Sequence, residues 1–107
     1  MAVSRPYEAS LLEALKDPEE AALYLEEALV DGDMDAFKMA LRNVAKARLE
    51  GGLTELAEVT DLNRETLYRT LSEKGNPQLD TLNKVLHAVG LRIAVDVDES
   101  QEKESVV

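Results

Sequence analysis

Along most of the chain apolar residues return every third or fourth position, as in helices with one buried face, and only near the end does the spacing drop to two. Residues 7–16 predict a short helix with Leu11, Leu12 and Leu15 inward. Asp17-Pro18-Glu19-Glu20 reads as the start of another, with Asp17 as N-cap, Pro18 at the first helical position and carboxylates at the positive end of the dipole. That helix is expected to reach about Val30, burying Ala21, Tyr24 or Leu25, Ala28 and Leu29. Asp31-Gly32-Asp33 stops it and caps a third, from Met34 to about Leu49, whose stripe is Phe37, Leu41, Val44 and Ala45. Met34 and Met39 are expected to pack. Gly51-Gly52 then interrupts the pattern.

Leu53 to Leu71 reads as two short helices joined by a tight turn. The first, about Thr54 to Thr60, turns Leu53, Leu56, Ala57 and Thr60 inward. Asp61 stands where the turn needs a positive φ, which Asp and Asn tolerate better than other side chains apart from glycine. Leu62 anchors the turn and Asn63 suits an N-cap. From Arg64 the second helix buries Leu67, Thr70 and Leu71, leaving Arg64, Glu65, Tyr68, Arg69 and Ser72 outside. The pair is either an ordinary helical hairpin or a helix-turn-helix whose second helix reads DNA. In the turn Ser72 to Pro77, backbone amides with Lys74 or Asn76 could hold a phosphate.

A further helix from about Leu79 to Val89 turns Leu79, Leu82, Val85, Leu86 and Val89 inward and ends at Gly90; His87 falls off this stripe, as a surface residue does. In Leu91 to Val97 the alternation of Leu91, Ile93, Val95 and Val97 predicts a strand. A lone strand leaves its backbone groups unsatisfied, so it either pairs with its copy or a partner's sheet, or frays against the core. The division expected is an N-terminal arm and short helix (1–16), a helical domain (17–90), a strand (91–97) and an acidic disordered tail (98–107).

At 107 residues the chain can bury one core and not two. Without cysteine it has no disulfide framework, thiolate metal site or Cys nucleophile. No apolar run suggests a membrane span, and Met-Ala-Val-Ser-Arg-Pro lacks a signal peptide's apolar core, so a soluble cytoplasmic protein is expected. The net charge of −10 is unevenly spread: residues 1–37 carry −8, residues 38–92 carry +2 and residues 93–107 carry −4. The middle can attract phosphate, modestly and with strong salt dependence. The acidic ends serve solubility or meet a basic partner. Glu19, Glu20, Glu26 and Glu27 read as a solvated helix face, and Lys38, Arg42, Lys46 and Arg48 as a basic face that is either plainly solvated or turned to DNA. No metal set, no cofactor-binding glycine loop and no nucleophile with its base stands out, so no catalytic residue, cofactor or enzyme activity is expected.

Leu53 to Leu71 resembles the helix-turn-helix of the Xre, or lambda-repressor-like, DNA-binding proteins. From about Leu12 to Val95 the chain more closely resembles the HigA-like addiction-module antidote proteins, known also as prophage DNA-binding proteins. The resemblance rests on Asp17-Pro18-Glu19-Glu20-Ala21 with Tyr24-Leu25, on Arg64-Glu65-Thr66-Leu67-Tyr68-Arg69-Thr70-Leu71-Ser72, and on Gly75-Asn76-Pro77 before Thr81-Leu82. Asp61 departs from it, standing where the family pattern usually has Gly.

The resemblance implies an all-α, five-helix lambda-repressor-like helix-turn-helix domain with a short C-terminal β-strand. It implies an antitoxin that binds a small basic toxin, usually RelE/ParE-like and encoded beside it, and represses their shared operon. As a homodimer, with Leu91 to Val97 a candidate contact, such a protein would place Asn63 to Ser72 in the major groove of a palindromic double-stranded operator. Arg64 is then the first candidate for a base contact, with Glu65 and Tyr68 secondary, and Thr54, Arg69, Lys74 and Asn76 are candidate phosphate contacts. A prophage-type regulator of the same fold without a toxin, or a protein-interaction module, are the alternatives.

Overall fold

A computed structural model describes residues 5–72 and 76–99. It contains six helices among those residues: α1 (Arg5–Ala14), α2 (Pro18–Asp31), α3 (Met34–Arg48), α4 (Gly52–Thr60), α5 (Arg64–Thr70) and α6 (Leu79–Ala88). The expected caps form. The Asp17 carboxylate accepts from the Glu19 amide at 2.9 Å, and the Asp33 carboxylate from the Ala36 amide at 3.1 Å. Each satisfies a first-turn N–H that has no partner within its helix. Gly32, at φ 73°, closes α2 by donating its N–H to Leu29 O.

The core is built around α3, which packs against α1, α2 and α4. Phe37, Ala40, Leu41, Val44 and Ala45 are all buried, so more than one flank of this helix is covered. Leu15 reaches it from the end of α1, Ala21 and Leu25 from α2, Leu56 and Ala57 from α4, Leu67 from α5, and Val85, Leu86 and Val89 from the α6 region. Removing one such leucine side chain would cost about 2–5 kcal/mol. Between α2 and α3, the Asn43 amide donates to the Tyr24 hydroxyl at 3.0 Å.

Four expectations are corrected. Counting α1, the helices number six rather than five. Leu91 to Val97 forms no strand: the segment is extended but finds no β-partner among the described residues, and Val95 is 96% exposed. Alternation alone cannot make a ladder, which needs a second backbone. Leu29 and Leu79, assigned inward, are 54% and 69% exposed, because the stripes of α2 and α6 run on past the helices that cover them. Met34 and Met39 are exposed for a like reason, since the covered flanks of α3 are taken by its Phe, Leu, Val and Ala residues. Of the tail assigned as disordered, 98–107, the residues from 100 onward lie outside the described residues.

Candidate nucleic-acid interface

The α4–α5 pair presents most of the side chains that the sequence offers to DNA. Leu56, Ala57 and Thr60 fix α4 to the core, and the buried Thr60 hydroxyl donates back to Leu56 O at 2.6 Å. The chain then turns through Asp61, the one non-glycine residue with positive φ among those described (φ 59°, ψ 27°). Its N–H donates to Glu58 O, which ends α4 within one residue. Leu62 packs against the core, and the Asn63 side-chain oxygen accepts from the amides of Glu65 and Thr66 at 2.8 and 3.3 Å.

α5 has seven residues, too few to persist alone. Leu67 and, just past its end, Leu71 are fully covered, which turns Arg64, Glu65, Tyr68 and Arg69 outward. All four are exposed, as helical periodicity predicts, whereas Ser72, also expected outside, is half-buried. Arg69 lies 3.9 Å from Glu65, but both side chains are largely in solvent, so the pair contributes little stability and leaves the guanidinium accessible. Thr54 is exposed on α4 and Asn76 is exposed before α6; Lys74 lies outside the described residues.

The C-terminal end of α5 is held by two cations that the sequence had placed elsewhere. The Lys38 ammonium donates to Ser72 O at 2.7 Å and the Arg42 guanidinium to Leu71 O at 2.8 Å. One turn apart on α3, they supply charged donors at the negative end of the helix dipole. Lys38 is 2% exposed, and its ammonium also lies 3.9 Å from the Asp35 carboxylate. Arg48 serves two other helix ends, donating to Val89 O beyond α6 and, at 2.6 Å, to Lys16 O beyond α1.

Of the four α3 cations, then, only Lys46 is exposed, and the solvated or DNA-facing basic strip is corrected to a set of tertiary caps. A signal for this was present. Lys38 lies three residues before Leu41 and seven before Ala45, within the buried stripe by helical phase. With those cations engaged, the charge on the exposed face of α5 is Arg64 and Arg69 against Glu65.

Among the described residues no group of acidic or histidine side chains is placed to hold a metal, and no helix is long and apolar enough to cross a membrane. His87 is exposed, as expected.

Comparison with known families finds a match over residues 7–97 to one described as probable addiction module antidote protein. An uncharacterized protein of Haemophilus influenzae is 36% identical over 83 residues, covering 78% of this chain and 82% of its own length. No solved structure matches the chain.

Proposed function

The chain belongs to the probable addiction-module antidote proteins, and from that premise we propose that it is a DNA-binding antitoxin of a type II toxin-antitoxin module. It neutralises a small basic RelE/ParE-like toxin and represses the operon that encodes both. In this reading α4 and α5 form a helix-turn-helix of the HigA-like, Xre class. The observation that carries it is the face of Arg64, Glu65, Tyr68 and Arg69, presented by a short helix capped at both ends by Asn63 and by Lys38 with Arg42. A groove-reading helix needs that rigidity, because base contacts discriminate only when side chains approach from a fixed frame.

Arg64 is assigned to a base edge, most naturally guanine, with Glu65 and Tyr68 beside it; Arg69, Thr54, Lys74 and Asn76 take phosphates. The protein binds as a homodimer across a palindrome with half-sites about one helical turn apart. Leu91 to Val97 supplies the dimer contact, since an extended apolar segment without a ladder can be completed by a second copy. No step calls for a cofactor or for catalysis, and the protein works in the cytoplasm.

The experiment is a gel-shift titration with DNA from immediately upstream of the gene against random duplex of equal length, at two salt concentrations. Preference for the upstream DNA, with affinity falling as salt rises, is the expected result. Equal binding to both duplexes would remove the sequence-specific repressor, and no binding at all would leave an antitoxin acting only through protein contacts.

A further inference from the structure

Leu29 and Leu79, the two leucines that helical periodicity sends inward and the fold leaves exposed, line the same groove. It runs between α2 and α6 and ends against residues 90–94, with a volume of about 740 Å³. Its lining is mainly apolar, supplied chiefly by Leu25 and Leu29 of α2, Leu79, Leu82 and Leu86 of α6, and Ile93. Its charged lining residues are Glu26 of α2 and Arg92, and Glu26 also lines an adjoining depression with Glu27, Val30 and Asp31. Here the two core stripes continue past the core into solvent, along an acidic margin.

Resting on the antitoxin reading, we propose that this groove is the docking site of the toxin. The toxin segment it fits is amphipathic and basic, seating apolar side chains between α2 and α6 and setting lysines or arginines against Glu26, Glu27 and Asp31. Charge selects this occupant. A second copy in a two-fold interface would offer Arg92 alone to answer Glu26, Glu27 and Asp31, leaving the acidic margins in excess, and DNA phosphates would be repelled there. The acidic N-terminal third thereby gains a role in steering a basic partner. The groove shares no residue with the α5 face and meets the dimer segment Leu91 to Val97 only along 91–94, leaving the exposed Val95 and Val97 to the second copy, so one antitoxin can hold toxin and operator together.

The test uses the full-length chain with the RelE/ParE-like protein encoded beside its gene, measured by calorimetry at two salt concentrations. Leu29→Ser addresses the groove and Glu26→Lys/Glu27→Lys its margin; both alter exposed positions. Glu19→Lys/Glu20→Lys, on the same helix but not in the groove lining, makes the same change in net charge. Each of the first two variants is expected to weaken toxin binding at least about tenfold, with operator affinity and oligomeric state unchanged. The control should stay within about twofold of wild type once the salt dependence of steering is removed.

Equal weakening by margin and control variants, or no weakening by Leu29→Ser, would overturn the assignment of the groove. Dissociation of the dimer by Leu29→Ser at unchanged toxin affinity would give the groove to a second copy. If the wild-type chain itself fails to bind that protein, the antitoxin reading falls, and the docking site with it.

Discussion

The buried ammonium of Lys38 donates to the backbone oxygen of Ser72 at 2.7 Å, tying the N-terminal third of the core helix to the end of α5 across 34 positions of sequence. A charged donor meets a helix-end carbonyl at a part-buried position, with the lysine side chain itself enclosed by the core. Lys38→Met keeps most of the side-chain volume and removes the donor, so a loss of about 1–2 kcal/mol is expected in chemical denaturation. Amide exchange should quicken at Leu71 and Ser72 ahead of the rest of the core. Unchanged exchange there would mean that α5 is held by Leu67 and Arg42 without help from Lys38.

At the other end of α5, Asn63 satisfies two first-turn amides with one oxygen. Asn63→Ala should cost about 1 kcal/mol, and Asn63→Asp, which retains the acceptor, far less. Equal losses from the two would show that the amide's donor side matters instead.

Asp61 holds a left-handed conformation and places its carboxylate near the negative end of α4. Asp61→Gly relieves both conditions at the cost of a more flexible unfolded chain, and a net gain of about 0.5 kcal/mol is expected. The melting temperature should then rise by roughly 3 °C. An unchanged or lower value would place the strain elsewhere.

Gly90, at φ 87°, lies so close to Arg48 that an added Cβ would sit 3.0 Å from its Nη2 atom. Gly90→Ala therefore strains the backbone and crowds the guanidinium that caps α1 and α6. Combined with Arg48→Met it should destabilise less than the separate effects predict, by about 0.5 kcal/mol or more, since the crowding is removed only once. Strict additivity in a double-mutant cycle would mean that the guanidinium moves aside freely.

Arg64 is exposed and stands outside the core, so its replacement separates recognition from folding. Arg64→Ala should lose roughly 1–3 kcal/mol of operator binding and relax preference at one base pair, with the melting temperature unchanged. Equal losses on operator and random duplex would make it a phosphate contact.

What the sequence by itself determined is local: where helices start, stop and turn, and which flank of each is apolar. Asp17, Asp33 and Asn63 cap, Asp61 turns, and Arg64, Glu65, Tyr68 and Arg69 face outward, because each outcome depends on neighbours within about one helical turn. Only the tertiary structure decided what each flank met. Lys38, Arg42 and Arg48 look like a solvated strip until distant helix ends arrive to accept their hydrogen bonds. Leu29 and Leu79 look like core until the packing of α2 and α6 leaves a groove between them. Leu91 to Val97 has the alternation of a strand, yet a strand is a relation between two backbones, and periodicity along one chain carries no information about the second.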